Sequence, residues 1–214
     1  QLLDDLALGD GEPYVKDGTL DLSGLRRLSR ARARNLLRWF LAGRGVPMPN
    51  ADRLEEAIKQ ALMAKDDARV CVDIGGCDLR RFAGVLHVVP KLAASATAFT
   101  RLWRGERRLA LPELGGVLTL TKSRGSGIDL AHLESGRVTV RVRCGGERLQ
   151  PAAERPRRSL KNLLREAGIP PWWRARLPLL FCGNVLVWAP GIGIDCRFQA
   201  QRGAPALLPR WHEC

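Results

Sequence analysis

The sequence of 214 residues lacks the features of membrane, secreted and zinc-binding proteins. No apolar run approaches the roughly 18–20 residues that a membrane-spanning helix needs, and no signal-peptide core opens the chain. The six cysteines include no Cys-x-x-Cys pair and stand apart from the three histidines, which disfavours a zinc site or a dense disulfide framework. We therefore expect a cytoplasmic protein with reduced, mostly buried thiols, no bound metal and no membrane contact.

Acidic residues are scarce beside basic ones. The chain has 35 Lys and Arg against 22 Asp and Glu, a formal net charge of +13. Its hydrophobic content of 45% and charged content of 27% are ordinary for a folded protein, so disorder is not expected. The basic surplus favours a polyanionic partner, and nucleic acid over a membrane surface. The alternative is a protein-interaction domain that is basic only through arginine-rich composition.

Patterns of catalytic residues are absent as well. The glycine groups at 75–76, 115–116, 125–127 and 191–193 fit neither GxxxxGK[ST] nor GxGxxG, the patterns of phosphate-binding loops. No Ser-His-Asp set and no Cys-His pair can be placed together from the sequence. We therefore predict turns at these glycines and no catalytic residues in this chain. A hydrolase or editing domain with a dispersed active site is the alternative, and it would show acids converging on one pocket.

The chain also lacks an initial methionine. It begins at Gln1, and its opening letters LLDDLALGD are typical of the end of a helix. We therefore expect a piece of a longer polypeptide, in which residues 1–24 are the tail of an upstream domain followed by a polar connecting loop. The function expected for this chain therefore includes the contribution of an upstream domain.

Helix signals dominate the segment that follows. Ser29 is a suitable N-cap for a helix to about Ala42, and Asn50 for a second helix to about Ala64. Three segments of alternating apolar and polar residues, separated by glycine turns, then predict a small β meander. Residues 25–91 are thus predicted to form a small helical domain with a short meander.

The second half returns to short strands around one helix. Residues 92–104 include an Ala-, Ser- and Thr-rich stretch without a clear period, and we interpret them as a linker. Residues 105–214 hold five short strand-like segments, with a helix embedded at Ser159–Ala167. The predicted fold class is α+β, with the second domain built of short, mainly antiparallel strands.

The first helix carries a stripe of like charge. Arg30, Arg34 and Arg38 recur every four residues, and between Arg26 and Arg44 there are seven arginines and no acid. Like charges at this spacing cost about 0.2–0.5 kcal/mol per pair, and basic residues in a first turn oppose the helix dipole. A solvated face normally mixes signs, so the pattern favours contact with RNA or DNA over a solvated face without a partner.

A second basic segment reads RVTVRVR. In a strand, Val138, Val140 and Val142 would point to the core, and the remaining residues would share the outer face. Arg141 and Arg143 would then lie roughly 6.6–7 Å apart, a separation suited to two phosphates. That outer face comprises Arg137, Thr139, Arg141 and Arg143. A salt-bridged exposed strand is the alternative.

The stretch RRSLKNLLREAGIPPWWRAR combines a basic helix with a proline-tryptophan elbow. Its predicted apolar face comprises Leu160, Leu163, Leu164 and Ala167, and its predicted basic face comprises Arg158, Lys161 and Arg165. Trp172 and Trp173 are adjacent, so both cannot fill one core. One is expected to anchor the elbow, and the other to be partly exposed, where it either packs or stacks on a base or ribose.

These segments resemble the bacterial tRNA(Ile)-lysidine synthetase (TilS) family. RARNLLRWFLAGRGVPMPNADRLEE and CDLRRFAGVLHVV resemble its middle, substrate-binding domain. VRVRCGGERLQP and RRSLKNLLREAGIPPWWRARLPLLFCGNVLVWAPGIG resemble its C-terminal domain. The resemblance covers residues 25–90 and 105–194, and the tail beyond is unassigned. Asn162, Trp173 and Cys182 depart from the family's usual lysine, leucine and tyrosine.

The resemblance implies a function for the whole protein. Such enzymes use ATP to adenylylate the wobble cytidine of a tRNA with a CAU anticodon, and lysine then displaces AMP to give lysidine. The chemistry, with ATP and Mg, belongs to an N-terminal domain with an SGGxDS loop that this sequence lacks. The chain would therefore be the tRNA-recognising part and inactive alone, with its middle domain near the anticodon arm and its last domain near the acceptor stem. That last domain is implied to share a fold with part of the phenylalanyl-tRNA synthetase β subunit.

The basic segments and the resemblance together predict a set of tRNA-binding residues. They are Arg30, Arg34, Arg38, Arg80, Arg81, Arg141, Arg143, Arg157, Arg158, Lys161, Arg165 and Arg174. The leading alternative is a stand-alone, non-enzymatic RNA-binding module. The sequence does not indicate an oligomeric state.

Overall fold

The structure is a computed structural model that describes residues 1–64, 70–91, 99–134 and 136–213. It divides into two compact units, residues 1–91 and residues 92–214. Only part of the predicted linker, residues 99–104, lies within the described residues. Residues 92–98 lie outside the described residues, and Thr100–Leu102 form a strand.

The first unit combines four helices with one antiparallel sheet in its described residues. In chain order the elements are α1 (Leu2–Gly11), β1 (Val15–Lys16), β2 (Thr19–Asp21), α2 (Leu22–Arg26), α3 (Arg30–Ala42), α4 (Ala51–Met63), β3 (Cys71–Asp73), β4 (Cys77–Phe82) and β5 (Val85–Pro90). The sheet has the order β1-β2-β5-β4-β3, and every neighbouring pair is antiparallel. The predicted meander is confirmed as β3, β4 and β5.

The two predicted helices of this unit are confirmed with their caps. The N–H of Arg32 donates to the Ser29 hydroxyl at 3.5 Å, and the N–H of Arg53 donates to the Asn50 side chain at 2.9 Å. Each cap satisfies one of the free N–H groups of a helix start. The apolar faces of α3 and α4 pack into one core with the inner faces of the sheet. Its fully buried residues include Leu36, Leu37, Leu41, Ala57, Leu79 and Leu86.

The prediction of a connecting loop after the opening segment is wrong. Strands β1 and β2 form a hairpin around Asp17 and Gly18, whose φ angles are 45° and 77°, and α2 follows directly. An Asp-Gly pair with positive φ suits a two-residue hairpin turn, because its twist matches that of the strands. Helix α1 packs on α3: Ala7 is fully buried, and the Asn35 amide donates to the Leu3 carbonyl at 2.6 Å. Residues 1–24 thus pack as part of the first unit.

The second unit is built mostly of short strands. In chain order its elements are β6 (Thr100–Leu102), β7 (Arg108–Leu111), β8 (Gly116–Arg124), β9 (Ile128–Asp129), α5 (Leu130–Glu134), β10 (Val138–Arg141), β11 (Arg148–Leu149), β12 (Arg158–Ser159), α6 (Leu160–Glu166), α7 (Pro171–Arg174), β13 (Leu179–Cys182), β14 (Val185–Ala189), β15 (Gly193–Ile194) and β16 (Pro205–Glu213). The strands form antiparallel sheets in the orders β15-β14-β13-β10-β6, β7-β8-β16-β9 and β11-β12. The α+β class is therefore confirmed.

The five-stranded sheet separates two apolar cores. Along β13, Leu180 and Cys182 face a core shared with the four-stranded sheet, whereas Leu179 and Phe181 face a second core. Helix α6 closes that second core with two fully buried leucines. Since successive side chains of a strand point to opposite faces, both faces of this strand are covered. This arrangement places α6 and the loops beside it on the outside of the unit.

The tail beyond residue 194, to which the resemblance assigns no structure, supplies a long internal strand. Strand β16 pairs with β8 from Pro205 opposite Arg124 to Glu213 opposite Gly116, and on its other side with β9. In the sequence, its prolines disfavour a central strand, because proline lacks the N–H group that donates hydrogen bonds within a sheet. At the turn into β9 a Cβ on Gly127, where φ is 115°, would lie 2.4 Å from the Leu207 carbonyl oxygen. Glycine is therefore needed there.

None of the described helices is long and apolar enough to cross a membrane.

Candidate nucleic-acid interface

The basic surplus is concentrated in the second unit. The first unit contains 15 basic and 13 acidic residues, a net charge of +2. The second contains 20 basic and 9 acidic residues, a net charge of +11. A polyanion would therefore be attracted mainly by the second unit.

The arginine stripe of α3 has acidic partners that the local sequence does not show. Arg30 pairs with Glu55 of α4, and the Arg38 guanidinium lies 3.4 Å from Asp4 of α1. Arg32 likewise makes a two-point contact with Asp10. The premise of an acid-free stripe is therefore wrong, because α1 and α4 bring carboxylates to it.

Arg34 differs from its neighbours on α3. Its side chain is exposed and makes no ion pair or hydrogen bond to another described residue. Of the three predicted stripe residues, it is the one whose charge stays available.

Arg81 has a structural role instead of the predicted RNA contact. Its side chain is only 4% exposed, and its Nη1 donates to the carbonyl of Ala61 at 3.1 Å and of Ala64 at 2.6 Å. These carbonyls lie at the end of α4, where a helix has no internal donors left. Arg80 beside it forms an ion pair with Asp78 at 2.8 Å.

The predicted open face of the segment RVTVRVR is also wrong. The strand ends at Arg141, and Thr139 is only 4% exposed because the second core covers that face. Arg141 donates to the Thr139 hydroxyl and to the Gly183 carbonyl, each at 2.8 Å. Its guanidinium also lies 4.9 Å from the centre of the Phe181 ring. Arg141 and Arg143 therefore do not line up along one exposed strand.

Helix α6 matches the prediction in part. Leu160 and Leu164 are fully buried and Leu163 is half-buried, but Ala167 is exposed. Arg158 precedes the helix, in β12, and pairs with Glu166 at the helix end. That hydrogen bond lowers the pKa of the Glu166 carboxyl.

The basic face of α6 therefore reduces to Lys161 and Arg165, both exposed.

A glycine loop stands between β10 and β11. The Glu147 carboxylate accepts from the N–H of Cys144 at 2.6 Å and of Gly145 at 2.8 Å. Gly145 and Gly146 have φ of 100° and 84°, which L side chains rarely adopt, and no atom lies within 4 Å of a Cβ placed on either. Glu147 therefore fixes a loop whose tip is open on the outside.

Three predicted cations meet on one side of this loop, and a fourth, Arg165, lies beside them. A pocket of about 360 Å³ is lined by Arg143, Lys161 and Arg174, together with Cys144, Gly145, Pro171 and Ala175. We call it the Lys161 pocket. Burial, and after it the charges of Arg143 and Arg165, lower the pKa of Arg174.

Few carboxylates lie near the cations of the Lys161 pocket. Arg174 Nε donates to a neutral acceptor, the Ile169 carbonyl, at 2.6 Å. Glu147 lies 3.6 Å from Arg143 Nε, and Glu166, which already pairs with Arg158, lies near Arg165. Cations crowded in this way repel one another until an anion enters, so the geometry suits a phosphate.

A second pocket opens on the other side of the loop, with a volume of about 520 Å³. We call it the arginine pocket, because its cations are Arg141, Arg148, Arg157 and Arg197. Sequence reasoning missed two of these, Arg148 and Arg197. Arg148 lies in the segment VRVRCGGERLQP but outside its alternating basic pattern, and Arg197 lies in the tail beyond residue 194.

Asp195 lies beneath the arginine pocket and is fully buried. Its carboxylate accepts from Arg157 Nη2 at 2.8 Å, from Arg197 Nε at 2.9 Å and from the N–H of Gln150 at 3.2 Å. Burial raises the pKa of Asp195, but the hydrogen bonds from Arg197 and Arg157 outweigh it, and the pKa is lowered. The carboxylate is therefore charged at neutral pH.

The adjacent tryptophans are both half-buried. Trp173 lines a pocket of about 640 Å³ together with Trp188 and Trp211, and the Arg176 guanidinium lies 5.8 Å from the centre of the Trp173 ring. Base stacking by Trp173 stays a prediction.

The four glycine groups singled out in the sequence lead into strands β4, β8, β9 and β15, not into helices. They therefore lack the strand-to-helix setting of a nucleotide-binding loop. In the described part of the chain no three His, Cys, Asp or Glu side chains gather as metal ligands.

Two family models match the chain. The "TilS substrate binding domain" matches residues 20–87, and the "TilS substrate C-terminal domain" matches residues 138–211. These stretches of 68 and 74 residues cover about two thirds of the sequence. The second match extends past residue 194, so the predicted end of the resemblance is wrong.

Curated relatives span the same region. A tRNA(Ile)-lysidine synthase of Nitrosomonas europaea is 44% identical over 99% of this chain and 46% of its own length. Those of Coxiella burnetii and Ralstonia nicotianae are 34% and 35% identical, over 94% and 99% of this chain. The chain spans less than half the length of these relatives, with 46%, 44% and 46% of each covered.

One solved structure, titled "Crystal structure of TILS C-terminal domain", overlaps 54% of this chain and 98% of its own, at a TM-score of 0.43 and 22% identity. The two family models and the relatives that span the whole sequence show that the chain belongs to the TilS family, and it matches the substrate-binding and C-terminal domains of that family.

Proposed function

We propose that this chain is the tRNA-recognising part of a tRNA(Ile)-lysidine synthetase. The whole enzyme would use ATP to attach lysine to the wobble cytidine of an isoleucine tRNA with a CAU anticodon, which makes lysidine. The family membership and the names of the relatives support this proposal.

The observation that carries the proposal is the Lys161 pocket. Four of the residues predicted from the sequence to bind tRNA, namely Arg143, Lys161, Arg165 and Arg174, meet at or beside it. They come from three separate segments of a unit whose net charge is +11. Convergence of cations from distant segments is what a phosphate site requires, whereas a solvated surface needs no such meeting.

The chain's own residues bind and orient the tRNA and take no chemical step in this proposal. ATP, Mg and lysine belong to a part of the enzyme outside this chain. Since the family resemblance assigns the ATP-dependent chemistry to that other part, we expect the chain alone to be inactive in lysidine formation.

The two units are proposed to hold different parts of the tRNA. The second unit, with its net charge of +11, would contact the acceptor stem. The first unit would lie at the anticodon arm, where the exposed Arg34 is the available contact. This division follows the arrangement that the family resemblance implies.

Binding measurements test the proposal directly. The 214-residue chain should bind a labelled tRNA, and log K should fall with log[salt] with a slope of about −0.7 to −0.9 per phosphate contact. Lys161→Gln with Arg174→Gln should raise Kd by about tenfold or more at 100 mM salt and should flatten the slope.

The matched control is Arg124→Gln with Arg202→Gln. It removes the same charge from two exposed side chains of the second unit that line neither pocket. If both double variants bind equally well, the Lys161 pocket is not the tRNA site. If the chain turns over ATP in the presence of tRNA and lysine, the assignment of the chemistry to another part of the enzyme is wrong.

The stand-alone RNA-binding module is not favoured. The curated relatives described above are all named as synthases and are about twice the length of this chain.

A further inference from the structure

The arginine pocket is built unlike an ordinary salt-bridged surface. Arg157 and Arg197 share one carboxylate, Asp195, so the three groups keep a net positive charge. Arg148 Nη2 donates to a neutral acceptor, the Arg157 carbonyl, at 2.8 Å. Arg141 is held by a hydroxyl and a carbonyl. Each guanidinium is thus held in place while the pocket keeps an excess of positive charge.

The other carboxylate of the pocket is already engaged. One oxygen of Glu147 accepts the two N–H groups of the glycine loop, and the other faces Arg143 across the loop at 3.6 Å. Together Glu147 and Asp195 supply two negative charges against the four arginines of the arginine pocket, which leaves a positive excess. Fixed donors around uncompensated charge form a preorganised anion site, because little side-chain freedom is lost when an anion enters.

The chemistry favours a phosphate over a base. The Phe181 ring, which lines this pocket, is already covered by Arg141 at 4.9 Å, so it offers no free face for stacking. Asn184 is the neutral amide side chain of the lining, whereas four side chains are guanidiniums. Base edges are read mainly by bidentate hydrogen bonds, and phosphates by charge.

We propose that the arginine pocket is a second anion site, which holds another backbone phosphate of the RNA bound at the Lys161 pocket. Asp195 is its positioning residue, because it keeps Arg157 and Arg197 in place. The two pockets share Cys144 and Gly145, so the glycine loop stands between two phosphates of one bound RNA. The identity of the ligand rests on the proposed function.

Asp195 provides the sharpest test. Asp195→Asn removes a negative charge from a basic face, so simple electrostatics predicts tighter RNA binding. The positioning role predicts weaker binding, by about fivefold or more in Kd, because both arginines lose their charged anchor. Glu154→Gln is the matched control, since it removes an exposed carboxylate of the same unit and should leave Kd unchanged or slightly lower.

Arg148→Gln keeps the test decisive if Asp195→Asn fails to fold. Arg148 is exposed, and we expect its loss to raise Kd for a fluorescent acceptor-stem minihelix by about three- to tenfold and to flatten the salt slope by about 0.7–0.9. A second minihelix with its base pairs reversed should show the same loss, because phosphates carry no sequence. Arg202→Gln is the control of equal charge.

Several outcomes overturn the second site. One is that Arg148→Gln binds like Arg202→Gln, and another is that folded Asp195→Asn, checked by circular dichroism, binds RNA as tightly as the unsubstituted chain. A loss that depends on base sequence would also overturn it. If these variants behave like their controls while the Lys161 variant loses binding, only the second site fails. If the unsubstituted chain does not bind RNA, the proposed function fails with it.

Discussion

Several arginines of the two units differ in the groups that accept hydrogen bonds from their guanidiniums. In the first unit Arg30, Arg32 and Arg38 each have their own carboxylate, from α4 or α1. In the second unit Arg141, Arg148 and Arg174 are held by carbonyls and a hydroxyl. Arginine content alone therefore does not locate an RNA surface. What distinguishes the second unit is a local excess of guanidiniums over carboxylates, as where Arg157 and Arg197 share the one carboxylate of Asp195.

The difference has an energetic basis. Exposed ion pairs contribute little to stability, with a median of about 0–1 kcal/mol, so the pairs of the first unit chiefly neutralise its surface. Clustered cations held by neutral acceptors repel one another, and the apolar cores of the second unit must offset that repulsion. Such a cluster conflicts with the usual mixing of positive and negative charges on a protein surface. Conflicts of this kind are typical of functional sites.

The largest effect should come from the apolar scaffold of the second unit. Leu164→Ala removes a fully buried side chain from the core that α6 closes, and we expect the free energy of unfolding to fall by about 2–5 kcal/mol. Leu163→Ala should cost clearly less, because that side chain is half-buried. Urea denaturation measures both. Equal losses would mean that α6 sits in a different rotation and that its cationic face is misplaced.

Arg81→Met should destabilise the first unit without changing RNA binding. The substitution leaves the carbonyls of Ala61 and Ala64 without their charged donor, at a cost of about 1–3 kcal/mol. Thermal denaturation and tRNA anisotropy on the same sample separate the two effects. A raised Kd with an unchanged Tm would show that Arg81 reaches RNA and would weaken the contrast between the units.

Two residues of α3 sharpen the comparison within one helix. Arg34→Gln should raise Kd for an anticodon-arm hairpin by about two- to fivefold, because its charge has no partner among the described residues. Arg32→Gln should change Kd by less than about twofold and should lower Tm, because Asp10 loses its partner. Equal changes in Kd would show that pairing does not decide which arginine binds RNA.

The smallest effect is a difference in how the units respond to acid. Burial lowers the pKa of His87 below its ordinary 6.5, so the unfolded chain takes up that proton first and the first unit loses stability as pH falls below 6.5. The pKa of Asp195 is below its ordinary 3.8, so its contribution to the second unit is complete above 3.8 and is lost only below it.

Urea unfolding at several pH values, resolved by peptide-level hydrogen exchange, checks this order. His87→Gln should flatten the response of the first unit between pH 7 and pH 5. A second unit that weakens first in this range would contradict the assignment.

Local signals in the sequence predicted much of the fold. Ser29, Asn50 and Ser159 each cap the expected helix, because a cap depends on residues only three positions apart. The β1–β2 hairpin also has a local signal, the Asp-Gly pair, although the polar composition around it favours a loop.

The partners of the arginines could not be predicted in this way. Arg38 meets Asp4 at a separation of 34 residues, and Arg157 meets Asp195 at a separation of 38. Such pairs form only when the fold brings distant elements together. A charge count over neighbouring residues therefore overestimated the cationic surface of α3. The same limit hid Arg197, which reaches its pocket from a tail without a recognisable motif.

The position of β16 has a consequence for biosynthesis. This strand lies between β8 and β9 but follows both in the chain, so the ribosome makes the middle of the sheet last. Until residues 205–213 have left the exit tunnel, β8 and β9 each present an unpaired edge, the kind of edge that recruits other chains. The first unit can fold during translation, whereas this sheet has to wait. A stalled or truncated nascent chain that ends before residue 205 would therefore be a substrate for chaperones.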